Sequence, residues 1–158
     1  MDGVLEALRV RSAYFIYTQM LKAYTADKDR GVPTKELLND IYQQDQILMI
    51  NYHLAYYTVW SAKMHIEQKC KIQCPNLKRH IENLICIFGL NDLMNDSSLL
   101  FDCGYFSKSG LNRDHIMSTL KSKIALIRPQ FINLIEGVDF PDTTLNSSIG
   151  NFYGDIYE

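Results

Sequence analysis

From Thr34 to Lys69 no glycine or proline occurs, and Leu37, Ile41, Leu48, Tyr52, Ala55, Val59, Ala62 and Ile66 recur at threes, fours and one seven. That spacing marks one face of an α-helix, and at about 1.5 Å per residue a helix of this extent spans roughly 50 Å. Gly31, Val32 and Pro33 break the chain just before it, so Thr34 is placed to cap the start, with Glu36 in the first turn. The other segments carry the same period. Asp2 to about Ala26 reads as an amphipathic helix on Leu5, Leu8, Ser12 to Phe15, Met20, Leu21 and Tyr24. Pro75 suits the first turn of a third helix with the stripe Leu77, Ile81, Leu84, Ile85 and Phe88, and Gly89 is placed to end it in a left-handed cap.

Periodicity is lost from Asn91 to Gly110, where Asn, Asp, Ser and Gly favour turns, although Leu99, Leu100, Phe101 and Phe106 predict that this stretch packs down. A fourth helix follows over about Asn112 to Arg128 on Ile116, Leu120, Ile124 and Ile127. Pro129 then opens a short continuation through Phe131, Ile132 and Ile135 to Gly137. Beyond it the sequence predicts at most a turn or two of helix, around Thr143 to Ser148. No strand alternation or internal repeat stands out. The expectation is an all-α antiparallel bundle of four or five main helices, with Thr34 to Lys69 the longest, forming one domain over residues 1–158.

Composition narrows the classes of function. With 47% hydrophobic and 22% charged residues the chain has the make-up of a folded domain. Its 16 basic residues are scattered among 18 acidic ones, for a net charge of -2, so the concentrated basic stripe that nucleic acid requires is missing. No apolar run approaches the roughly 18 to 20 residues of a membrane span, and Asp2 and Glu6 spoil the basic start of a signal peptide. Cys70, Cys74, Cys86 and Cys103 read as free thiols of a reducing compartment, because a chain of this length does not need disulfide staples.

Three constellations invite chemistry. Cys70 and Cys74, with His65 and His80 nearby, have donors zinc accepts, but no second closely spaced ligand pair accompanies them, which favours small thiols at a helix end. Cys103 and His115 offer a nucleophile and a base, without a recognisable orienting group or oxyanion hole. His53 lies among Tyr52, Tyr56, Tyr57 and Trp60, a stripe that reads as helix interface rather than a cofactor box. Neither a Walker pattern nor GxGxxG occurs.

The C-terminal stretch "LIRPQFINLIEGVDFPDTTLNSSIGNFYGDIYE" resembles the terminal signature of acyl-CoA oxidases. The matching positions are Ile127, Arg128 and Pro129; Leu134, Asp139 and Phe140; Asp142, Leu145 and Ser147; and Gly150, Gly154, Tyr157 and Glu158. "NLICIFGL", Gly104 ahead of a further helix, and the opening "LEALRVRSAYFI" are also similar to that family, so the resemblance covers nearly the whole chain. Two departures stand in the tail. Tyr153 occupies the family's Asp position before the second glycine, with Asp155 after it, and the chain stops at Glu158 where family members usually continue.

The resemblance implies a flavin enzyme that uses FAD to remove two hydrogens across the α and β carbons of a fatty acyl-CoA. The electrons pass to oxygen, giving trans-2-enoyl-CoA and hydrogen peroxide. Its catalytic carboxylate and main flavin contacts belong to upstream segments that this sequence lacks. No catalytic residue is therefore carried over, and only a cofactor-side or subunit-interface role falls to Gly154, Asp155, Tyr157 and Glu158. The implied partners are the remaining oxidase domains and a second oxidase subunit, and the implied location is the peroxisome, although Ile156, Tyr157 and Glu158 are not a Ser-Lys-Leu type of signal. The alternative is a stand-alone, non-catalytic helical interaction protein derived from that domain. Either way, ten Tyr, seven Phe and one Trp exceed what one core accommodates, which predicts an exposed apolar patch on Tyr14, Tyr17, Tyr56, Tyr57 and Trp60 together with Phe152 and Tyr157.

Overall fold

The computed structural model describes residues 1–69 and 72–137, and every element among them is helical. The chain divides into two compact units, Met1–Ile124 and Ala125–Glu158. Four long helices frame the first: α1 (Asp2–Tyr14), α4 (Gln43–Gln68), α5 (Pro75–Asn95) and α8 (Arg113–Ile127), the last running on into the second unit. The shorter α2 (Lys22–Asp29), α3 (Thr34–Glu36), α6 (Ser98–Asp102) and α7 (Tyr105–Ser109) connect them. In the second unit a 3-10 turn at Arg128–Gln130 leads to α9 (Phe131–Glu136), as the Pro129 continuation predicts.

Side-chain pairs fix the directions. Lys63 Nζ lies 2.5 Å from the Asp2 carboxylate, while Phe15 meets Tyr52 edge-on at 5.2 Å, so α1 and α4 are antiparallel. Lys123 donates to Asn83 Oδ1 at 2.9 Å and Arg113 to the Met94 carbonyl at 3.4 Å, which sets α8 antiparallel to α5. The core between these helices contains Leu8, Ala55, Val59, Cys86, Leu90, Leu93, Leu100, Phe106, Ile116 and Leu120. Burying a side chain the size of Leu8 or Leu100 contributes about 1.5–3 kcal/mol each, and seven of these ten are that size or larger.

The structure revises five of these expectations. The helix expected from Thr34 to Lys69 is broken at Tyr42, whose φ of -104° and ψ of 15° leave the helical region. The preceding turn, Leu37–Ile41, is π-helical and closes with a Tyr42 N–H bond to the Leu37 carbonyl at 2.9 Å. The wider turn lets Leu37 and Tyr42, five residues apart, both be buried. The Tyr42 hydroxyl then donates to Asp27 at 2.6 Å and its ring meets Tyr24 edge-on, tying the break to α2. At 26 residues α4 is still the longest described helix.

Thr34 makes no side-chain cap, the N-cap position being Pro33. The first helical segment runs past Ala26 to Asp29, through a π-helical stretch at Phe15–Leu21. Gly89 does not end its helix. It lies inside α5 at the crossing with α1 and α4, where an added Cβ would stand 2.6 Å from Val4 Cγ1 and 3.3 Å from both Leu8 Cδ1 and Val59 Cγ2. Part of the expected 91–110 loop is also helical, as the end of α5, α6 and α7. Gly104 and Gly110, at φ of +69° and +67°, flank α7 in left-handed conformations that favour glycine. Leu99, Leu100 and Phe106 pack down as expected, whereas Phe101 is exposed.

Candidate functional site

Two apolar faces lie on α4. Ala55, Val59 and Ile66 point inward and are buried. On the opposite side Ile47, Ile50, Leu54 and Tyr57, spaced three, four and three, are 46%, 51%, 51% and 50% exposed. From Gln46 to Ala62 the helix carries no Asp, Glu, Lys or Arg. A surface helix ordinarily puts charged residues on its outer face, and one that is apolar all round is built to be covered. Tyr57 stacks near His53 at 6.4 Å and near Trp60 at 5.7 Å. With Ser61, Ala62 and Ile66 it also walls a groove of about 610 Å³ whose other side is Ile81 and Ile85 of α5.

Of the rings predicted to remain exposed, Tyr17, Tyr57 and Trp60 do so, and Tyr14 and Tyr56 are half-buried. They do not make one patch. Tyr14 and Tyr17 line a different groove, of about 420 Å³, with Arg9, Val10, Cys103 and Tyr105. A third concavity, a cleft of about 220 Å³, has Val4, Ala7, Leu90, Leu93 and Phe106 in its walls and His115, Thr119 and Lys123 along one side.

The polar centre of the first unit is a network that the sequence reading passed over. Arg11 follows Leu8 and precedes Phe15 on the inward stripe of α1, and only 1% of it is exposed. One guanidinium nitrogen, Nη1, donates to the Asp92 carbonyl at 3.2 Å and the Asp96 carbonyl at 2.8 Å. The other, Nη2, pairs with the Asp92 carboxylate. Those carbonyls are at the C-terminal end of α5, where Asp92's accepts only the cap N–H of Asp96 at 3.3 Å, so the cation both caps the helix and meets its dipole. Arg11 also lies 4.6 Å from the Tyr52 ring centroid, and the Tyr52 hydroxyl donates to the Asp96 carboxylate. The available signal was an arginine where the α1 stripe calls for an apolar side chain.

This network shifts two titrations. Burial, then the hydrogen bond to Asp96, pushes the Tyr52 hydroxyl up to about 12. Burial works against the Asp96 carboxylate, but hydrogen bonds from Tyr52 and Ser98 and the Arg11 charge outweigh it and hold the group below its ordinary value. The raised Tyr52 value means that its stabilisation is whole below the unfolded pKa near 10 and is lost as pH rises through about 12. Tyr52→Phe is therefore expected to cost about 1–2 kcal/mol at pH 7 and to flatten the decline in urea stability between pH 10 and about 12. An unchanged alkaline decline would assign it to other groups.

Gly154, Asp155, Tyr157 and Glu158 lie outside the described residues, as do Phe152 and Cys70. Among the described residues, no three or more His, Cys, Asp or Glu side chains are grouped to hold a metal ion. Cys74, Cys86 and Cys103 are free thiols. The Cys103 thiol is 3.5 Å from the Leu100 carbonyl, while His115 lines the 220 Å³ cleft. No described helix is long and apolar enough to cross a membrane.

The chain is 25% identical over 157 residues to peroxisomal acyl-coenzyme A oxidase 1 of Phascolarctos cinereus, covering 99% of this chain and 23% of that protein. It is 23% identical over 158 residues to the Rattus norvegicus oxidase 1, covering 100% of this chain and 23% of the relative. Against the Mus musculus peroxisomal acyl-coenzyme A oxidase 2 it is 28% identical over 106 residues, which are 67% of this chain and 15% of the relative. The chain thus spans about a quarter of the length of the relatives it matches along its whole extent. No solved structure matches. The acyl-CoA oxidase family description matches residues 1–158, from first to last, and the chain belongs to that family.

Proposed function

We propose that residues 1–158 act as the C-terminal helical domain of a peroxisomal acyl-CoA oxidase, supporting a catalytic half and a second subunit. The whole enzyme would use FAD to oxidise fatty acyl-CoA to trans-2-enoyl-CoA with release of hydrogen peroxide, a step of fatty acid β-oxidation. The observation that carries this reading is the uncharged outer face of α4, with Ile47, Ile50, Leu54 and Tyr57 about half exposed on a chain one quarter the length of its relatives. Such a face fits a domain made to be covered by more protein. The role proposed for these residues is support rather than chemistry. Gly154, Asp155, Tyr157 and Glu158 are proposed to contribute at the cofactor side or the subunit interface.

The test is a chimera in which residues 1–158 replace the matching segment of the Rattus norvegicus oxidase 1. It is expected to keep stoichiometric yellow flavin through gel filtration and to release peroxide from palmitoyl-CoA. The isolated chain given FAD and palmitoyl-CoA is expected to match the blank. A folded chimera that loses its flavin, or peroxide release by the isolated chain, would overturn the reading. The latter result would place the chemistry within these 158 residues.

A further inference from the structure

We infer that the cleft between α1, α5, α7 and α8 is a binding site for a small amphipathic carboxylate, with its apolar tail among core side chains and its head on Lys123. The cleft holds about 220 Å³. Ala7, Cys86, Leu90, Leu93, Phe106 and Ile116 line it, and each is at most 7% exposed in this chain alone. The unit's own helices therefore enclose it, unlike the outer face of α4. Sites for drug-sized ligands run to about 300–1,000 Å³, so the occupant is smaller than those and far smaller than an acyl-CoA. With each heavy atom taking at most the ~30 Å³ share of a liquid water, the cleft accepts on the order of seven to ten of them.

Polarity in the cleft is one-sided. His115, Thr119 and Lys123 follow one another at intervals of four along a single face of α8. From Ile116 to Lys123 that helix advances about 10 Å, at 1.5 Å per residue, which sets the length of a tail lying along it. No Asp or Glu is among the described lining residues. Lys123 donates at 2.9 Å to Oδ1 of Asn83, a side chain that is itself buried. That bond fixes the ammonium without neutralising it, and among the described residues no carboxylate pairs with it. An ammonium carries three donors, so two are left for a ligand. A cation held at the edge of an apolar cavity favours an anion with an apolar body. One ammonium, with no arginine fork beside it, suits a single negative charge, hence a carboxylate rather than a phosphate.

The inference is independent of the oxidase reading, and its test uses the 158-residue chain with octanoate as the probe. Calorimetric titration is expected to show one saturable site with a Kd on the order of 0.1–1 mM, a range open to a ligand of about ten heavy atoms. Acetate, which lacks the tail, and octylammonium, which reverses the charge, should not bind measurably. Lys123→Met should weaken octanoate by about tenfold or more, because it deletes a charge-assisted bond and keeps the apolar stem. Lys123→Arg keeps the charge and should stay within about threefold. Thr119→Trp, at an exposed position on the rim, should fill the cleft and weaken octanoate by about tenfold or more. Far-ultraviolet circular dichroism checks that each variant is folded. Absence of saturable octanoate binding overturns the site, as does binding untouched by Thr119→Trp, which puts the ligand elsewhere. Octylammonium binding as tightly as octanoate, or equal losses in Lys123→Met and Lys123→Arg, overturns the carboxylate assignment.

Discussion

Arg11→Ala is expected to lose about 3 kcal/mol of unfolding free energy, read as a fall in the urea midpoint at neutral pH with an unchanged slope. Removing one partner of a buried ion pair typically costs about 3–5 kcal/mol, chiefly because the other partner keeps its desolvation without compensation. The lower end applies here: the Asp92 side chain is 35% exposed, so water can reach part of its carboxylate once the guanidinium is gone. The Asp96 carbonyl loses its Arg11 donor as well, and the Asp92 carbonyl keeps only the N–H of Asp96, at the C-terminal end of α5. Since whole domains are stable by about 5–15 kcal/mol, this single change removes a large share. Arg11→Met separates the causes. It keeps the apolar stem against the core and deletes the charge, so it should recover part of the loss if packing contributes and none if the cap and ion pair account for all of it. A loss below about 1 kcal/mol for Arg11→Ala would mean that the pair behaves as a solvated surface contact.

The network at Arg11 also marks the limit of what was legible in the sequence. Leu8, Val59 and Ile116 follow the helical stripes read from the sequence and are buried, whereas Leu77, Leu84 and Phe88 of the stripe read for the third helix are exposed, because a stripe fixes a face of a helix but not which face meets its neighbours. Arg11 looks like an interruption of such a stripe. Its reason lies 81 and 85 residues away, at Asp92 and Asp96, and nothing local encodes that distance. Tyr42 is similar: the gap-free run from Thr34 predicts an unbroken helix, and the break follows from Asp27 and Tyr24, on a different element. The outer stripe of α4 was half legible. Tyr57 and Trp60 were singled out as rings, but Ile47, Ile50 and Leu54 complete the exposed face, and separating outward from inward apolar positions on one helix requires knowing which face meets α1 and α5. The tail signature at Gly150 to Glu158 was the clearest pointer to the family, and its place in the fold lies outside the described residues.

Gly89→Val should be the second most damaging change, costing about 3 kcal/mol, although glycine is ordinarily the residue to remove from a helix. On an exposed helix, replacing Gly with Ala gains about 1 kcal/mol through backbone entropy and propensity. At position 89 that gain meets a wall: even a bare Cβ would stand 2.6 Å from Val4 Cγ1, closer than real contacts allow, with Leu8 and Val59 at 3.3 Å on either side. Val4 is β-branched and stiff at χ1, so it yields poorly, and the three helices meeting here are held at their other contacts. Extra methyl groups forced into such a crossing typically cost about 1–3 kcal/mol, and valine adds helix strain of its own. Gly89→Ala should fall in between, its propensity gain offsetting part of the clash. The decisive comparison is the double variant Val4→Ala with Gly89→Ala. If the clash with Val4 is the cause, the pair should be more stable than the sum of the single changes by about 1 kcal/mol or more, since each side chain vacates what the other needs. Simple additivity in thermal and urea unfolding would mean that α1 and α5 are not held this close at Gly89.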